Sequence, residues 1–167
     1  YLAVLHGELS ASTTVDQPLG DDDTSPVFVK TTVRPDGRPA RSTFRPLAVG
    51  GGHTLAEVRI ETGRKHQIRA HAQWLGHAVV GDKIYGPDAR CYLEFIDHGW
   101  TPSLAARLHL PRQALHCAHI AHLGNSEGLG AREWHAPFPA DLLAYCHAHL
   151  GSKTVDDALA AWIPSAG

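Results

Sequence analysis

The chain of 167 residues has no methionine, only three cysteines and 7% aromatic residues. No apolar run approaches the roughly 20 residues that a membrane-spanning helix needs, and no basic stretch followed by an apolar one opens the chain, so neither a membrane span nor a signal peptide is expected. Cys91, Cys117 and Cys146 are odd in number, widely spaced and without a CxxC pair. That pattern excludes a disulfide framework and a cysteine-ligated zinc site, leaving free thiols. The absence of methionine, with Tyr1 opening inside an apparent strand, reads as a piece of a longer protein. The expectation is one partial domain over residues 1–167, soluble and cytoplasmic, with 43% hydrophobic residues to build a core.

The formal charge is only −2, but it is unevenly spread. Residues 1–29 carry five acids and no Lys or Arg, whereas residues 30–69 carry nine bases against Asp36, Glu57 and Glu61. A basic zone of this kind is the footprint expected where a phosphate backbone docks. A solvated basic face is the plainer alternative, and position alone does not decide between them.

Residues 1–9 read as a short buried strand ended near Gly7, and the Asp-, Ser- and Pro-rich stretch to Val27 as a loop. Two strands over 39–48 and 53–61 are joined by a hairpin turn at the three glycines 50–52. Residues 64–75 have helical spacing, with Ile68, Ala72 and Leu75 on one side and Gly76 as the C-terminal stop. Residues 90–107 have no clear assignment. A strand near 114–123, an apolar-aromatic anchor from Trp134 to Phe138, and helices over 139–150 and 154–163 complete the chain. Strands precede helices without a regular βαβ beat, so the class is α+β, with a mixed, mostly antiparallel sheet and flanking helices.

The segment from Thr62 to His71, TGRKHQIRAH, carries the chemistry. A strand ends, Gly63 lets the backbone turn, and a helix begins beside Arg64, Lys65 and His66, where free amides and cationic side chains favour an anion such as phosphate. Arg69 shares a helix face with His66, while Ile68 turns toward the core.

Thr62-Gly63-Arg64-x-His66-Gln67-Ile68-Arg69-x-His71, followed by Gly76-His77-x-x-x-Gly81-Asp82-x-x-Tyr85-Gly86, resembles the signature of the RluA-type pseudouridine synthases. An opening Tyr1-x-Ala3-x-x-x-Gly7, then Thr43-Phe44, Arg112-x-x-Leu115-His116 and Ala136-Pro137-x-Pro139 follow that family's order. The resemblance implies the C-terminal half of the pseudouridine synthase fold and cofactor-free isomerisation of uridine to pseudouridine in structured RNA, ribosomal or transfer. It implies that Tyr1 packs against the target base, that Arg69 pairs with a nucleophilic aspartate, and that the full-length enzyme is a monomer. That aspartate lies in an R-L-D-x-x-T-S-G motif upstream of the tyrosine, and no aspartate of this chain follows Arg-Leu. Arg69 is accordingly expected to face an empty half-site, and the chain alone to be inactive, with the N-terminal part of the same catalytic domain as its missing partner. Arg64, Lys65, His66 and Gln67 are candidates for RNA contact. Thr62, Gly63, Gly81, Asp82, Tyr85, Leu115 and His116 are expected to be structural.

Two other function classes compete. One is a basic RNA-binding module used without catalysis. The other is a metal hydrolase built on the histidines, above all His116, His119 and His122. On a strand His116 and His122 share a face and His119 points away, so those three cannot converge, and no metal is expected.

Overall fold

A computed structural model describes residues 1–122, 124 and 130–162. Four consecutive apolar residues, Leu2 to Leu5, are all buried, which is the mark of a strand covered on both faces. This strand, β1 (Leu2–His6), is flanked by its antiparallel neighbours β6 (His53–Ile60) and β7 (Leu115–His116). In β6 the six residues from His53 to Val58 are buried without alternation, because helices cover one side of the sheet and α1 and its loops the other. Next outward come β5 (Arg41–Gly50) and β2 (Thr13–Asp16), giving the order β2-β5-β6-β1-β7. Every strand pairing among the described residues is antiparallel. Pro46 has no amide for the ladder, and β5 bulges between Pro46 and Ala48.

Two small hairpin sheets hang from this frame. The first joins β3 (Leu19–Asp21) to β4 (Thr31–Val33); the second joins β8 (His119–His122) to β9 (Arg132–His135). The helices are α1 (Gln67–Trp74), α2 (Arg90–His98), α3 (Pro102–Leu108), α4 (Ala140–Leu150) and α5 (Ser152–Ala161). Leu142, Cys146, Leu150 and Val155 of α4 and α5 share the main core with Val4, Phe44, Leu55 and Val58 of the sheet. The fold is α+β, an antiparallel sheet with flanking helices.

Two expectations need correction, and one segment left without assignment is now placed. The stretch to Val27 is not a loop throughout, since it contains β2 and β3, anchored by the buried Val15 and Leu19. Residues 90–107 form two helices. The second starts at the N-cap Thr101, whose side-chain oxygen accepts the Leu104 amide, with Pro102 in the first turn. The Trp134–Phe138 stretch is no anchor: β9 is exposed along its whole length and only Phe138 packs against the core. The expected strand end at Leu123 and helix end at Ile163 lie outside the described residues.

Candidate active site

β6 delivers the chain to Thr62-Gly63, and α1 starts at Gln67 with His66 as N-cap in the left-handed conformation, φ 56°. That conformation is uncommon outside glycine, and histidine is among the residues that adopt it more often. The next residue, Gln67, fixes the start of the helix. Its side-chain oxygen accepts from the Thr62 hydroxyl at 2.8 Å and the Arg64 amide at 3.0 Å. Its amide nitrogen donates to the Arg41 carbonyl at 2.9 Å and the Ser42 hydroxyl at 3.0 Å. Gln67 was expected at the RNA contact; instead it is buried and fully committed to tying α1 to β5. His71, also buried, completes the tie through Nδ1 at 3.0 Å from Ser42 Oγ and Nε2 at 3.0 Å from the Gln17 carbonyl oxygen.

Two residues into α1, Arg69 lies in a closed arrangement. Its Nε and Nη2 donate to Asp82 Oδ2 and Oδ1 at 2.6 and 2.8 Å, a two-pronged pair in which the arginine side chain is 12% exposed and the carboxylate wholly buried. Asp82 Oδ1 also accepts the amides of Ile84 at 2.9 Å and Tyr85 at 3.0 Å. The guanidinium carbon stands 4.9 Å from the centre of the Tyr85 ring, a cation–π contact. The Tyr85 hydroxyl accepts the Thr31 amide at 2.8 Å and lies 3.1 Å from His66 Nδ1. Arg69 therefore does not face an empty half-site: Asp82 holds it, and Nη1 is the guanidinium nitrogen that Asp82 leaves unengaged. Burial and the neighbouring Arg69 cation keep His66 below the usual imidazole range, and burial raises the Tyr85 phenol.

Gly81 makes the turn possible. Its φ is 75°, and a Cβ there would come within 2.1 Å of the Arg112 carbonyl oxygen, so only glycine fits. Val79 and Val80 meet β1 through the Leu5–Val79 bridge and the Val80 amide, which donates to the Val4 carbonyl at 2.9 Å; the chain then turns, the Asp82 amide donating back to the Val79 carbonyl at 3.2 Å. Tyr1 itself continues the β1–β6 ladder: its carbonyl accepts the Val58 amide at 2.8 Å, and its phenol is raised by burial and then by the neighbouring Cys117. Among the described residues no hydrogen bond or ring contact joins Tyr1 to Arg69. Leu115 and His116 form β7 against Ala3 and Leu2, on the far side of β1 from β6.

The basic segment is largely neutralised by acids brought in from the first 29 residues and elsewhere. Lys30 pairs with Asp22, Arg34 with Asp23 and Asp36, Arg41 with Asp16 and Glu61, Arg45 with Glu57, and Lys65 with Asp21. Arg38 and Arg64 have no ion pair among the described residues. Both line a cleft of about 580 Å³, together with Arg34, Lys65, Asp21 and Asp36, between the β3–β4 hairpin and the entry to α1.

Comparison with known proteins places this geometry. Residues 1–74 match the family model described as RNA pseudouridylate synthase. An uncharacterized RNA pseudouridine synthase of Chloroflexus aurantiacus is 39% identical over 142 residues, 85% of this chain and 39% of that protein. The ribosomal large subunit pseudouridine synthase D of Escherichia coli K12 is 35% identical over 144 residues, 86% of this chain and 42% of its own. The chain belongs to the RluA-type RNA pseudouridine synthases. It spans about two fifths of the length of these curated relatives. The fold agrees: the solved human RNA pseudouridylate synthase domain containing 1 superposes with a TM-score of 0.61 at 24% identity, over 84% of this chain and 55% of the other. Within this family member, the matched Arg69, Asp82, Tyr85 and His66 form one contiguous cluster. Thr62, Arg64 and Gln67 form a second, adjoining one. The Arg69–Asp82 pair is the feature that reasoning from sequence missed, since its members stand thirteen positions apart with a glycine turn between them.

Proposed function

We propose that the chain is the C-terminal part of a pseudouridine synthase catalytic domain that isomerises uridine in RNA, with Tyr1 and Arg69 on the wall of the pocket. In this reading the nucleophilic aspartate comes from a segment upstream of Tyr1. The observation that carries the reading is the fixed guanidinium of Arg69. Two of its nitrogens are bound by a buried carboxylate and its face rests on Tyr85, so its remaining edge, Nη1, is held ready for a second carboxylate. A cation held in place beside an incoming aspartate keeps that acid ionised in a dry pocket, as a nucleophile requires. The Tyr1 ring offers a stacking surface for a base turned out of its helix. Arg38 and Arg64, with Lys65 once it exchanges Asp21 for phosphate, supply phosphate contacts at the cleft, and His66 meets RNA outside that lining. Ribosomal RNA is the favoured substrate, because the relatives that carry a substrate in their names are ribosomal large subunit enzymes. The parent enzyme works as a soluble, cytoplasmic monomer; no described helix is long and apolar enough to cross a membrane. The competing non-catalytic RNA module draws on the same basic segment, but six of its nine bases, Lys30, Arg34, Arg41, Arg45, Lys65 and Arg69, already sit in ion pairs.

The test pairs two proteins. Residues 1–167 alone are expected to form no pseudouridine in ribosomal RNA, scored by mass spectrometry. The chain extended upstream through an R-L-D motif is expected to form it, and to lose at least about a hundredfold in rate on Arg69→Met. Turnover by residues 1–167 alone, or an upstream sequence without that motif, would sink the proposal.

A further inference from the structure

The β8–β9 hairpin brings together three side chains that no strand taken singly would unite. His119 lies directly opposite His135 in the antiparallel register, and Glu133, two residues before His135, projects from the same face. Glu133 Oε2 is 3.7 Å from His119 Nε2 and 3.7 Å from His135 Nε2, and the two imidazole rings are 4.6 Å apart between centres. All three ligand atoms lie within 4.8 Å of one another. At 3.7 Å none of these contacts is a hydrogen bond.

His119 adds an independent observation. Its side chain is 15% exposed, and its Nε2 is buried with no hydrogen-bond partner among the described residues. Buried polar atoms in folded proteins are nearly always satisfied, and an orphaned one aimed at a carboxylate and a second imidazole is a ligand awaiting its ion. A tetrahedral zinc site with bonds of about 2.0–2.2 Å sets its donor atoms about 3.3 Å apart. The two Glu133–imidazole separations of 3.7 Å are a few tenths of an ångström wider, and the two imidazole nitrogens, within 4.8 Å of each other, must also draw together. Glu133 and His135 are exposed and can close that gap by rotating their side chains.

We propose that His119, Glu133 and His135 bind a late first-row divalent cation such as Zn²⁺, with water completing the shell. Two imidazoles and one carboxylate suit zinc and its neighbours rather than Mg²⁺ or Ca²⁺, which take all-oxygen shells. The ion clamps β8 to β9. It also lies near the proposed pocket: Cys117, two residues before His119, has its thiol against the His119 carbonyl and against the Tyr1 phenol. The site is distinct from the His116, His119 and His122 set that strand geometry excludes; His119 finds its partners across the hairpin instead.

The decisive measurement is calorimetric titration of chelator-stripped 1–167 with ZnCl2. One equivalent is expected to bind, with millimolar MgCl2 giving no heat and no competition. His135→Ala and Glu133→Ala, both at exposed positions that the fold does not need, are each expected to weaken binding more than about tenfold. Cys117→Ser and His122→Ala are expected to leave it unchanged. Absence of binding at 100 µM zinc, on the order of the weakest affinity that three protein ligands should give, overturns the proposal. So does binding that survives His135→Ala and Glu133→Ala, or that disappears with Cys117→Ser, since either result places the ion elsewhere.

Discussion

The junction from Thr62 to Tyr85 and the β8–β9 hairpin are both rich in histidine and charge, yet they use them in opposite ways. At the junction the polar groups satisfy one another. Gln67 makes four hydrogen bonds, His71 two, and Asp82 accepts from both Arg69 and two backbone amides. In the hairpin, His119 and His122 each leave a buried Nε2 without a partner among the described residues, and the long side chains of β9 face water. A saturated polar network specifies one arrangement, while an unsaturated one waits for something to bind. Much of the sequence signature of this family is therefore architecture: residues that look like RNA contacts, Gln67 above all, are consumed in holding Arg69 where it stands.

The largest effect should come from breaking the junction. Asp82→Ala leaves the Arg69 guanidinium, 12% exposed, without its carboxylate, and frees two buried amides. Removing one member of a buried pair costs about 3–5 kcal/mol. Urea unfolding of 1–167 should show that loss, with Asp82→Asn retaining part of the amide capping and falling between. A loss below about 1 kcal/mol would mean that the pair is solvated and Arg69 mobile.

This contrast also explains what could be read in advance. β1 was legible from its continuous apolar run, and β5, β6, α1, α4 and α5 from the spacing of their apolar residues. β2, β3 and β4 were not, since each contributes a single apolar anchor, Val15, Leu19 or Val33, amid acids and turn residues, and pairing rather than composition makes them strands. α2 and α3 bury little beyond Cys91, Leu104 and Leu108, although Thr101-Pro102 was a readable start signal. In the site, motif order picked out Arg69, Asp82 and Tyr85 but not their mutual contact, which depends on the Gly81 turn. The charge count found a basic segment and could not see that Asp16, Asp21, Asp22 and Asp23 fold back onto it. The His119, Glu133 and His135 set required the hairpin register.

A smaller effect separates the buried histidines from water. His71 and His66 at the junction, and His6 and His149 at the far end of the sheet, are all held below the ordinary value of 6.5, chiefly by burial. For His6 and His149 the imidazoles of His53 and His109 add to it. A histidine whose folded pKa is lowered binds its proton more readily when unfolded. The unfolded state therefore gains protons first, and stability present above pH 6.5 is lost as pH falls below it. The melting temperature should fall between pH 6.5 and 5. A second decline should follow below about pH 4.5, where Asp21, Asp22, Asp36, Glu94 and Asp141, all lowered, take up protons. A curve that is flat from pH 7 to 5 would show that the four imidazoles are hydrated.

The smallest effect belongs to the hairpin. Trp134 stands opposite Ile120, and both side chains are more than half exposed, outside every core cluster. A cross-strand pair on an open face is worth roughly 0.2–1 kcal/mol, and a two-stranded hairpin adds little stability of its own. Trp134→Ser in zinc-free protein should therefore change unfolding stability by less than about 1 kcal/mol, and indole fluorescence from this position should be readily quenched by iodide. A loss above about 2 kcal/mol would mean that Trp134 packs as the anchor its apolar-aromatic neighbourhood suggests. The hairpin would then be part of the core rather than an appendage to it, and its divergence from the junction would be one of chemistry and not of burial.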